Sequence, residues 1–219
     1  MDKITISNLL PLVFRGMEGS ESISASQVWL VPQLTFGRGC RVCVQAESGG
    51  GKSSLLSFIY GNRTDYQGQI AFNDSDIRSL NVRQWCELRS SSLALLPQEM
   101  RLFPERTAMQ NIQLKNRLTN HKTEQEIMRL LSRLGIEEKA HEKVSRLSIG
   151  QQQRVAIVRA LCQPFDFLLL DEPVSHLDRQ NNLSAATLIH EEATAQGAGV
   201  VSTSVGNPLL LDNATFIAL

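Results

Sequence analysis

A glycine-rich segment near residue 50 is the first pattern in the chain whose residue types and spacing have a chemical meaning. It reads AESGGGKSS over residues 46–54, with three consecutive glycines directly before Lys52 and Ser53. Glycines let backbone N–H groups converge on phosphate oxygens, and a helix that begins here adds a positive potential. A lysine in this place reaches the β- and γ-phosphates of a nucleotide, and the adjacent hydroxyl ligates Mg²⁺. The segment therefore predicts a phosphate-binding loop. The alternative is a glycine-rich turn that happens to precede Lys-Ser.

The loop departs at one position from the usual pattern of glycine, four residues, and then Gly-Lys-Ser/Thr. Ala46 stands where the pattern has its first glycine. Alanine costs roughly 1 kcal/mol if this corner requires a positive φ, and little if it does not. We expect the loop to bind phosphate in either case, because the glycines nearest the phosphates are kept.

A second candidate site lies where an apolar stretch ends in two acids, at residues 167–173, which read FLLLDEP. A carboxylate at the tip of a buried strand can hold Mg²⁺ through its waters, which suits Asp171. The adjacent Glu172 can accept a proton from an attacking water. The alternative for an isolated Asp-Glu pair is a solvated strand end.

Composition limits the kind of protein. Apolar residues make up 42% of 219, enough for one domain with a substantial core. The 22 basic and 22 acidic residues cancel, so nothing in the charge favours a nucleic-acid partner. There is no apolar run long enough to cross a membrane. The four cysteines show no pattern of paired bridges, which fits a reducing cytosol.

The elements that must position these residues alternate between strand and helix. This alternation predicts an α/β fold with a mostly parallel sheet covered on both faces. A capping box at Thr123 and Glu126 opens an amphipathic helix that ends at Gly135. The remaining predictions are a first strand at 4–14, a loop at 15–26, strands at 27–36, 40–45, 68–72, 93–96, 167–170 and 199–203, helices at 53–60 and 151–162, and a helical region at 98–148.

A third motif, RLSIGQQQRVA at residues 146–156, completes an ordered set. With it, the whole chain resembles the ATP-binding cassette (ABC) family of ATPases, whose signature reads Leu-Ser-Gly-Gly-Gln. Taken in isolation, this segment predicts only a helix with Ser148 as its N-cap, and both interpretations can hold together. The resemblance implies a P-loop NTPase core, an N-terminal antiparallel β region and an inserted helical subdomain. The expected division of a single domain, 1–219, is a core at 1–97 and 151–219 and a helical subdomain at 98–150. No C-terminal regulatory domain is expected.

The resemblance also implies the cofactors ATP and Mg²⁺ and a set of site residues. Gln98 would sense Mg²⁺ and the attacking water, Phe14 would lie against adenine, and Asp171 would serve the metal together with Ser53. The alternative for Gln98 is a surface loop residue, and for Phe14 a core residue on a strand. The expected nucleotide contacts are Ser48, Gly49, Gly50, Gly51, Lys52, Ser53 and Ser54 within one copy, and Ser148, Gly150 and Gln151 from the other.

Three positions depart from the family pattern. Besides Ala46, Ile149 replaces the first glycine of the signature, which puts a bulky side chain beside the dimer surface. After the last central strand the family has a switch histidine, whereas this chain has Ser204 or Val205 in that place; the register stays open. A serine can donate one hydrogen bond to phosphate, which makes Ser204 a candidate catalytic residue. Loss of the histidine contact is expected to slow hydrolysis by roughly tenfold to a thousandfold.

The resemblance implies an ATP-binding subunit of an ABC transporter, similar to the compact cassettes of lipoprotein-release, macrolide-export and cell-division complexes. Two copies would sandwich MgATP and drive a separate transmembrane permease, docked near Gln98 with residues 107–118 as part of the surface. The expected location is the cytoplasmic face of a membrane. The alternative is a cassette that binds ATP, hydrolyses it weakly and acts as a regulatory or structural partner. A soluble cassette of DNA repair or translation is disfavoured, because the chain lacks coiled-coil insertions, a second cassette and basic excess.

Overall fold

A computed structural model describes all residues, 1–219. Its strands are β1 (Lys3–Pro11), β2 (Leu34–Gly37), β3 (Arg41–Gln45), β4 (Tyr66–Phe72), β5 (Ser75–Asp76), β6 (Leu93–Leu96), β7 (Phe167–Leu170), β8 (Gly199–Ser204) and β9 (Thr215–Ala218). Its helices are α1 (Glu21–Ser24), α2 (Lys52–Ile59), α3 (Val82–Ser91), α4 (Ala108–Asn116), α5 (Glu124–Arg133), α6 (Ile149–Leu161) and α7 (Arg179–Ala195). None of these helices has the length and apolar character needed to span a bilayer.

The strands form two sheets. One is antiparallel, in the order β2-β1-β4-β5, and the other is parallel, in the order β6-β7-β8-β3-β9. Both the mixed α/β class and the N-terminal antiparallel region predicted from the sequence are confirmed. In the parallel sheet, the carboxyl ends of β3, β6, β7 and β8 meet at one edge, and loops that follow them share that edge.

The parallel sheet is buried on both faces. Phe167 and Leu169 of β7 belong to a cluster of 22 buried residues with α2 and the antiparallel sheet. Their neighbours Leu168 and Leu170 belong to a cluster of 35 with helices α4 to α7. Alternate side chains of one strand thus serve two cores, which explains why the strand reads as a continuous apolar run.

The helical region follows the sequence signals closely. The Thr123 hydroxyl accepts a hydrogen bond from the backbone N–H of Glu126, and the Glu126 carboxylate accepts one from the backbone N–H of Thr123, so the predicted capping box is present. The helix buries Ile127, Leu130 and Leu131, and Gly135 follows it with φ +64°. Residues 98–148 otherwise contain α4, short 3-10 turns and no strand beyond one isolated bridge.

The strand predicted at 27–36 is wrong over its first part, because β2 begins only at Leu34. The Ser26 hydroxyl accepts hydrogen bonds from the N–H groups of Val28 and Trp29, which bends the chain locally. Leu30 then adopts φ +58°. The bend buries Trp29, which is 2% exposed, beneath the glycine loop. The segment predicted as a loop before it also contains α1.

Candidate phosphate-binding site

The glycine loop connects the end of β3 to the start of α2, at the shared edge of the parallel sheet. Gly49 and Gly51 have φ angles of +85° and +98°, which favour glycine. A Cβ on Gly51 would lie 2.8 Å from the Trp29 ring, and a Cβ on Gly50 would lie 2.9 Å from the Ala46 methyl. Gly51 caps α2 without a side-chain acceptor, so the first N–H groups of the helix are free for an outside anion.

Ala46 is accommodated without backbone strain. It is not among the residues with positive φ, so the corner does not require glycine. The conditional cost of roughly 1 kcal/mol therefore does not apply at this position. The Ala46 methyl group lies next to Gly50 and leaves no room for a side chain at that position.

Lys52 is buried, with 4% exposure, and its ammonium is held by the loop itself. Nζ donates to the carbonyl oxygens of Ala46 and Glu47, at 3.0 and 2.8 Å. It also lies 3.8 Å from the Glu172 carboxylate. A buried cation requires such partners, and the oxygens of a bound phosphate would supply the same charge and acceptors.

The loop borders two adjoining cavities. The first, of about 200 Å³, has no apolar lining residue; Ser48, Gly49, Gly51, Lys52, Ser53, Ser54, Gln98 and Glu172 line it. The second, of about 320 Å³, shares Ser48 and Gly49 and includes Phe14, Met17 and Trp29. The Phe14 ring meets the Trp29 ring edge-on, with centroids 6.4 Å apart. A polar end beside an aromatic end suits a phosphorylated ligand with a planar ring.

Asp171 and Glu172 follow β7 and point to different surroundings. Asp171 is 5% exposed, and its Oδ1 accepts a hydrogen bond of 2.8 Å from the Thr203 hydroxyl. The backbone N–H of Glu172 donates to the same Thr203 oxygen at 3.0 Å. Glu172 has φ +48°, a strained value for a residue with a side chain, and its carboxylate reaches the polar cavity. Asp171 lies behind that cavity and does not line it.

The signature segment lies elsewhere on the molecule. Ser148 caps α6 and forms a capping box with Gln151, so this hydroxyl has a structural partner. A Cβ on Gly150 would lie 3.0 Å from the His176 carbonyl oxygen, which explains the glycine. Neither cavity of the glycine loop is lined by Ser148, Gly150 or Gln151. Ile149 is 48% exposed on the same surface.

Ser204 is the last residue of β8, paired in register with Gln45 of β3. It is 1% exposed, its hydroxyl has no hydrogen-bond partner, and it lines neither cavity. Val205 follows the strand and is 45% exposed. The structure thus places Gln98 and Glu172 beside the glycine loop in the polar cavity, whereas the Ser204 side chain does not line that cavity.

The donor set near the loop fits Mg²⁺ bound together with a phosphate. The Ser53 hydroxyl and the Gln98 amide oxygen lie 3.5 Å apart, and both are oxygen ligands of the kind Mg²⁺ prefers. No group of three or more His, Cys, Asp or Glu side chains could hold a metal ion alone. Mg²⁺ commonly binds through one or two protein groups plus substrate phosphates, so this sparse set is sufficient.

Sequence reasoning missed three residues that build the site. Thr203 joins Asp171 to the Glu172 backbone, and Trp29 supports the glycines. Gln153 is 1% exposed and donates to the Glu172 carbonyl at 3.1 Å, while its own oxygen accepts from the His176 N–H. The third glutamine of QQQ, inside an otherwise apolar helix face, is the only signal that pointed to it.

Comparison with known proteins places these features in a family. The family model described as ABC transporter matches residues 32–175. The ABC transporter ATP-binding protein YtrE of Bacillus subtilis (strain 168) is 32% identical over 161 residues, 72% of this chain and 70% of its own. The lipoprotein-releasing system ATP-binding protein LolD of Psychrobacter arcticus is 30% identical over 188 residues, 84% of this chain and 83% of its own. The dimeric structure of the bacterial ABC transporter cassette MJ0796 matches with TM-score 0.78 at 22% identity, covering 98% and 94% of the two chains, which shows the fold.

Proposed function

The chain belongs to the ABC transporter family, and we propose that it binds MgATP as one of two cassettes that enclose two nucleotides and drive a separate membrane permease. The polar cavity would take the phosphates and the aromatic cavity the base, with Phe14 against the ring. Both relatives carry ATP-binding in their names. This is the function that the geometry supports best.

One observation carries the two-cassette arrangement. The glycine loop and the surface formed by Ser148, Ile149 and Gly150 do not share a cavity within one chain. Ser148 and Ile149 are exposed, so the α6 N-terminus faces solvent, where its dipole and N–H groups can meet an anion held by another copy. The cassette MJ0796 is described as dimeric, which supports the same arrangement here.

The proposed chemistry is positioning and charge stabilisation. Lys52 would exchange its carbonyl partners for phosphate oxygens, and Glu172, 3.8 Å from it, would orient and polarise the attacking water. Mg²⁺ would neutralise charge that develops on the phosphates. Ser53 and Gln98 would hold the ion directly, and Asp171, oriented by Thr203, would act through water.

A weakly hydrolysing cassette is the second candidate, and the surroundings of Ser204 favour it. The hydroxyl is buried and lies outside the polar cavity, so it would supply no phosphate contact in place of the switch histidine. In this version the chain binds ATP, hydrolyses it weakly and acts as a regulatory or structural partner of a membrane complex. Val205, the other residue for that position, has no side-chain donor to offer.

The partner and the location follow from the proposed role. We propose a transmembrane permease as partner, with this chain on its cytoplasmic face, and a second cassette of the same or another kind. The proposed division into a core at 1–97 and 151–219 and a helical subdomain at 98–150 separates the nucleotide loop from the signature. Movement between the two would couple nucleotide state to the permease.

Steady-state ATP hydrolysis by the purified chain tests the proposal, beside Lys52→Ala, Glu172→Gln and the exposed control Glu124→Gln. We expect Lys52→Ala to abolish ATP binding in a calorimetric titration. Glu172→Gln should keep binding, lose turnover and form a dimer with ATP in sedimentation. Unchanged affinity in Lys52→Ala contradicts the loop assignment. Binding without any turnover in the natural chain selects the second candidate.

A further inference from the structure

An exposed histidine lies beside the signature segment and outside the nucleotide cavities of its own chain. A Cβ on Gly150 would lie 3.0 Å from the His176 carbonyl oxygen, so the loop after β7 packs directly against the start of α6. The His176 side chain is exposed, as are Ser148 and Ile149. Neither cavity of the glycine loop is lined by His176. This imidazole is therefore available to a ligand held by another copy, and it does not reach the nucleotide site of its own chain.

A chain of hydrogen bonds sets which ring nitrogen of His176 carries the proton. Two backbone groups orient the Gln153 amide: its oxygen accepts from the His176 N–H at 3.0 Å, and its nitrogen donates to the Glu172 carbonyl oxygen at 3.1 Å. The same nitrogen donates to the Ser175 hydroxyl oxygen at 3.2 Å. That hydroxyl lies 3.0 Å from His176 Nδ1. Because the Ser175 oxygen already accepts from Gln153, its own proton is left for Nδ1, which assigns the ring proton to Nε2.

The ring thus offers one unused donor to a partner from outside. Within the chain the imidazole forms a hydrogen bond only through Nδ1, so the Nε2 N–H is free to donate. A phosphate oxygen is a strong acceptor for such a group. The position after β8 supplies no donor of this kind, because the Ser204 hydroxyl lines neither cavity and Val205 has no polar side-chain atom.

We propose that His176 is a catalytic residue that acts across the dimer, where its Nε2 N–H donates to the terminal phosphate of the nucleotide bound by the other copy. The inference rests on the proposed function and adds a residue to its site, in place of the absent switch histidine. A phosphate that meets Ser148 and Gly150 comes close to the imidazole, since His176 packs against Gly150. Ser175 and Gln153 are positioning residues, because they hold the ring in one tautomer.

Sedimentation of the Glu172→Gln chain with ATP measures the closed dimer without turnover. We expect added His176→Ala to raise the dissociation constant of this dimer at least tenfold, because a hydrogen bond to a charged group contributes a factor of roughly ten and a two-fold dimer forms it twice. His176→Phe keeps a ring of similar size without the donor and should be as weak as His176→Ala. The matched control is His141→Ala, at another exposed histidine between α5 and α6, which should leave the constant unchanged.

A dissociation constant that is the same with and without His176, or an equal loss in the control, overturns the proposal. So does a His176→Phe dimer as stable as that of the parent chain, because ring packing rather than hydrogen bonding would then explain the effect.

Turnover in mixed dimers tests whether the histidine acts across the dimer. A dimer of one His176→Ala copy and one Glu172→Gln copy keeps one complete site if His176 serves the nucleotide of the other copy. If His176 served its own chain, each site would lack one of the two groups. Equal amounts mixed before ATP is added give mixed dimers in about half of the cases, so turnover should recover to about a quarter of the natural value. Each variant alone should stay at least tenfold below the natural chain, and a mixture no faster than the average of the two overturns the assignment.

The ring tautomer is measurable without nucleotide. Nitrogen-15 NMR of the free chain, with the His176 signal identified by its loss in His176→Ala, should show the proton on Nε2 of the neutral ring. Ser175→Ala should shift the ring towards a mixture of tautomers. A proton on Nδ1 in the natural chain overturns the proposal whatever the ATP affinity.

The outcomes also separate this inference from the proposed function. A Glu172→Gln chain that forms no dimer with ATP contradicts the proposed function, and the inference with it. A dimer that forms equally well without His176 contradicts the inference alone.

Discussion

Thr203→Val is the substitution whose effect follows most directly from the structure. Valine keeps the shape of threonine and replaces only the hydroxyl with a methyl group, at a residue that is 1% exposed. That hydroxyl donates to Asp171 Oδ1 at 2.8 Å and accepts from the Glu172 N–H at 3.0 Å. Loss of a hydrogen bond to a carboxylate costs about 1.5–3 kcal/mol, and an orphaned buried N–H costs about 1–3 kcal/mol. These costs sum to about 2.5–6 kcal/mol, and we expect the free energy of unfolding to fall by at least the lower part of this range, about 3 kcal/mol.

Urea denaturation followed by circular dichroism measures this loss. With a slope of roughly 2–3 kcal/mol per M, a loss of about 3 kcal/mol lowers the midpoint by about 1 M. Thr203→Ser keeps both hydrogen bonds and should recover most of the stability, apart from about 1 kcal/mol for one buried methyl. Thr215→Val, at an exposed strand position, is the matched control and should change stability by less than about 0.5 kcal/mol. A Thr203→Val midpoint equal to that of the natural chain, or a serine variant as unstable as the valine variant, refutes the reasoning.

Three further perturbations test strain, burial and uncompensated charge. Glu172→Gly should be more stable to urea than Glu172→Ala by about 1 kcal/mol, because both lose the side chain and only glycine relieves the positive φ. Burial raises the pKa of the Cys162 thiol to about 12 from 9.0, so the unfolded chain ionises first and stability is lost as pH rises above 9. Equilibrium denaturation between pH 9 and 12 should show a loss of stability that is steeper, by up to ~1.4 kcal/mol per pH unit, than the loss in Cys162→Ala, where Cys40, Cys43 and both tyrosines still contribute. Lys115→Met should raise the thermal midpoint, by about 0.5 kcal/mol in stability, because it removes a partly buried cation whose pKa burial lowers.

Each of these three predictions has its own contradicting outcome. Equal stability of the glycine and alanine variants at 172 means that the backbone there is not strained. A pH slope that is as steep in Cys162→Ala as in the natural chain means that Cys162 does not contribute to it. A lower thermal midpoint in Lys115→Met means that the hydrogen bond of this lysine to the Arg89 carbonyl, 3.1 Å, outweighs its desolvation.

Local signals sufficed for much of the fold. The capping box at Thr123, the stop at Gly135 and the apolar run of β7 act over a few residues, so they can be read without the rest of the chain. The sequence of helix α7 shows no clear hydrophobic periodicity, because several of its buried positions are alanines and one is an asparagine rather than a large apolar residue. The bend that replaces the first part of the strand predicted at 27–36 depends on the Ser26 hydroxyl. Its hydrogen bonds to the backbone compete with strand formation, and residue propensities alone do not predict which of the two forms.

The sequence by itself determined the chemistry available to this protein: a glycine loop with Lys52 and Ser53, an acidic strand end, and a signature helix capped by Ser148. Each is a contiguous motif whose residue types and spacing carry its meaning. Only the tertiary structure decided which of these groups meet. The strand order places the loop after β3 beside Glu172, and it places the Ser204 hydroxyl behind the cavity and Ser148 on another surface. The reason is physical: a motif fixes local backbone geometry, whereas the distance between two motifs depends on sheet order and packing over the whole chain.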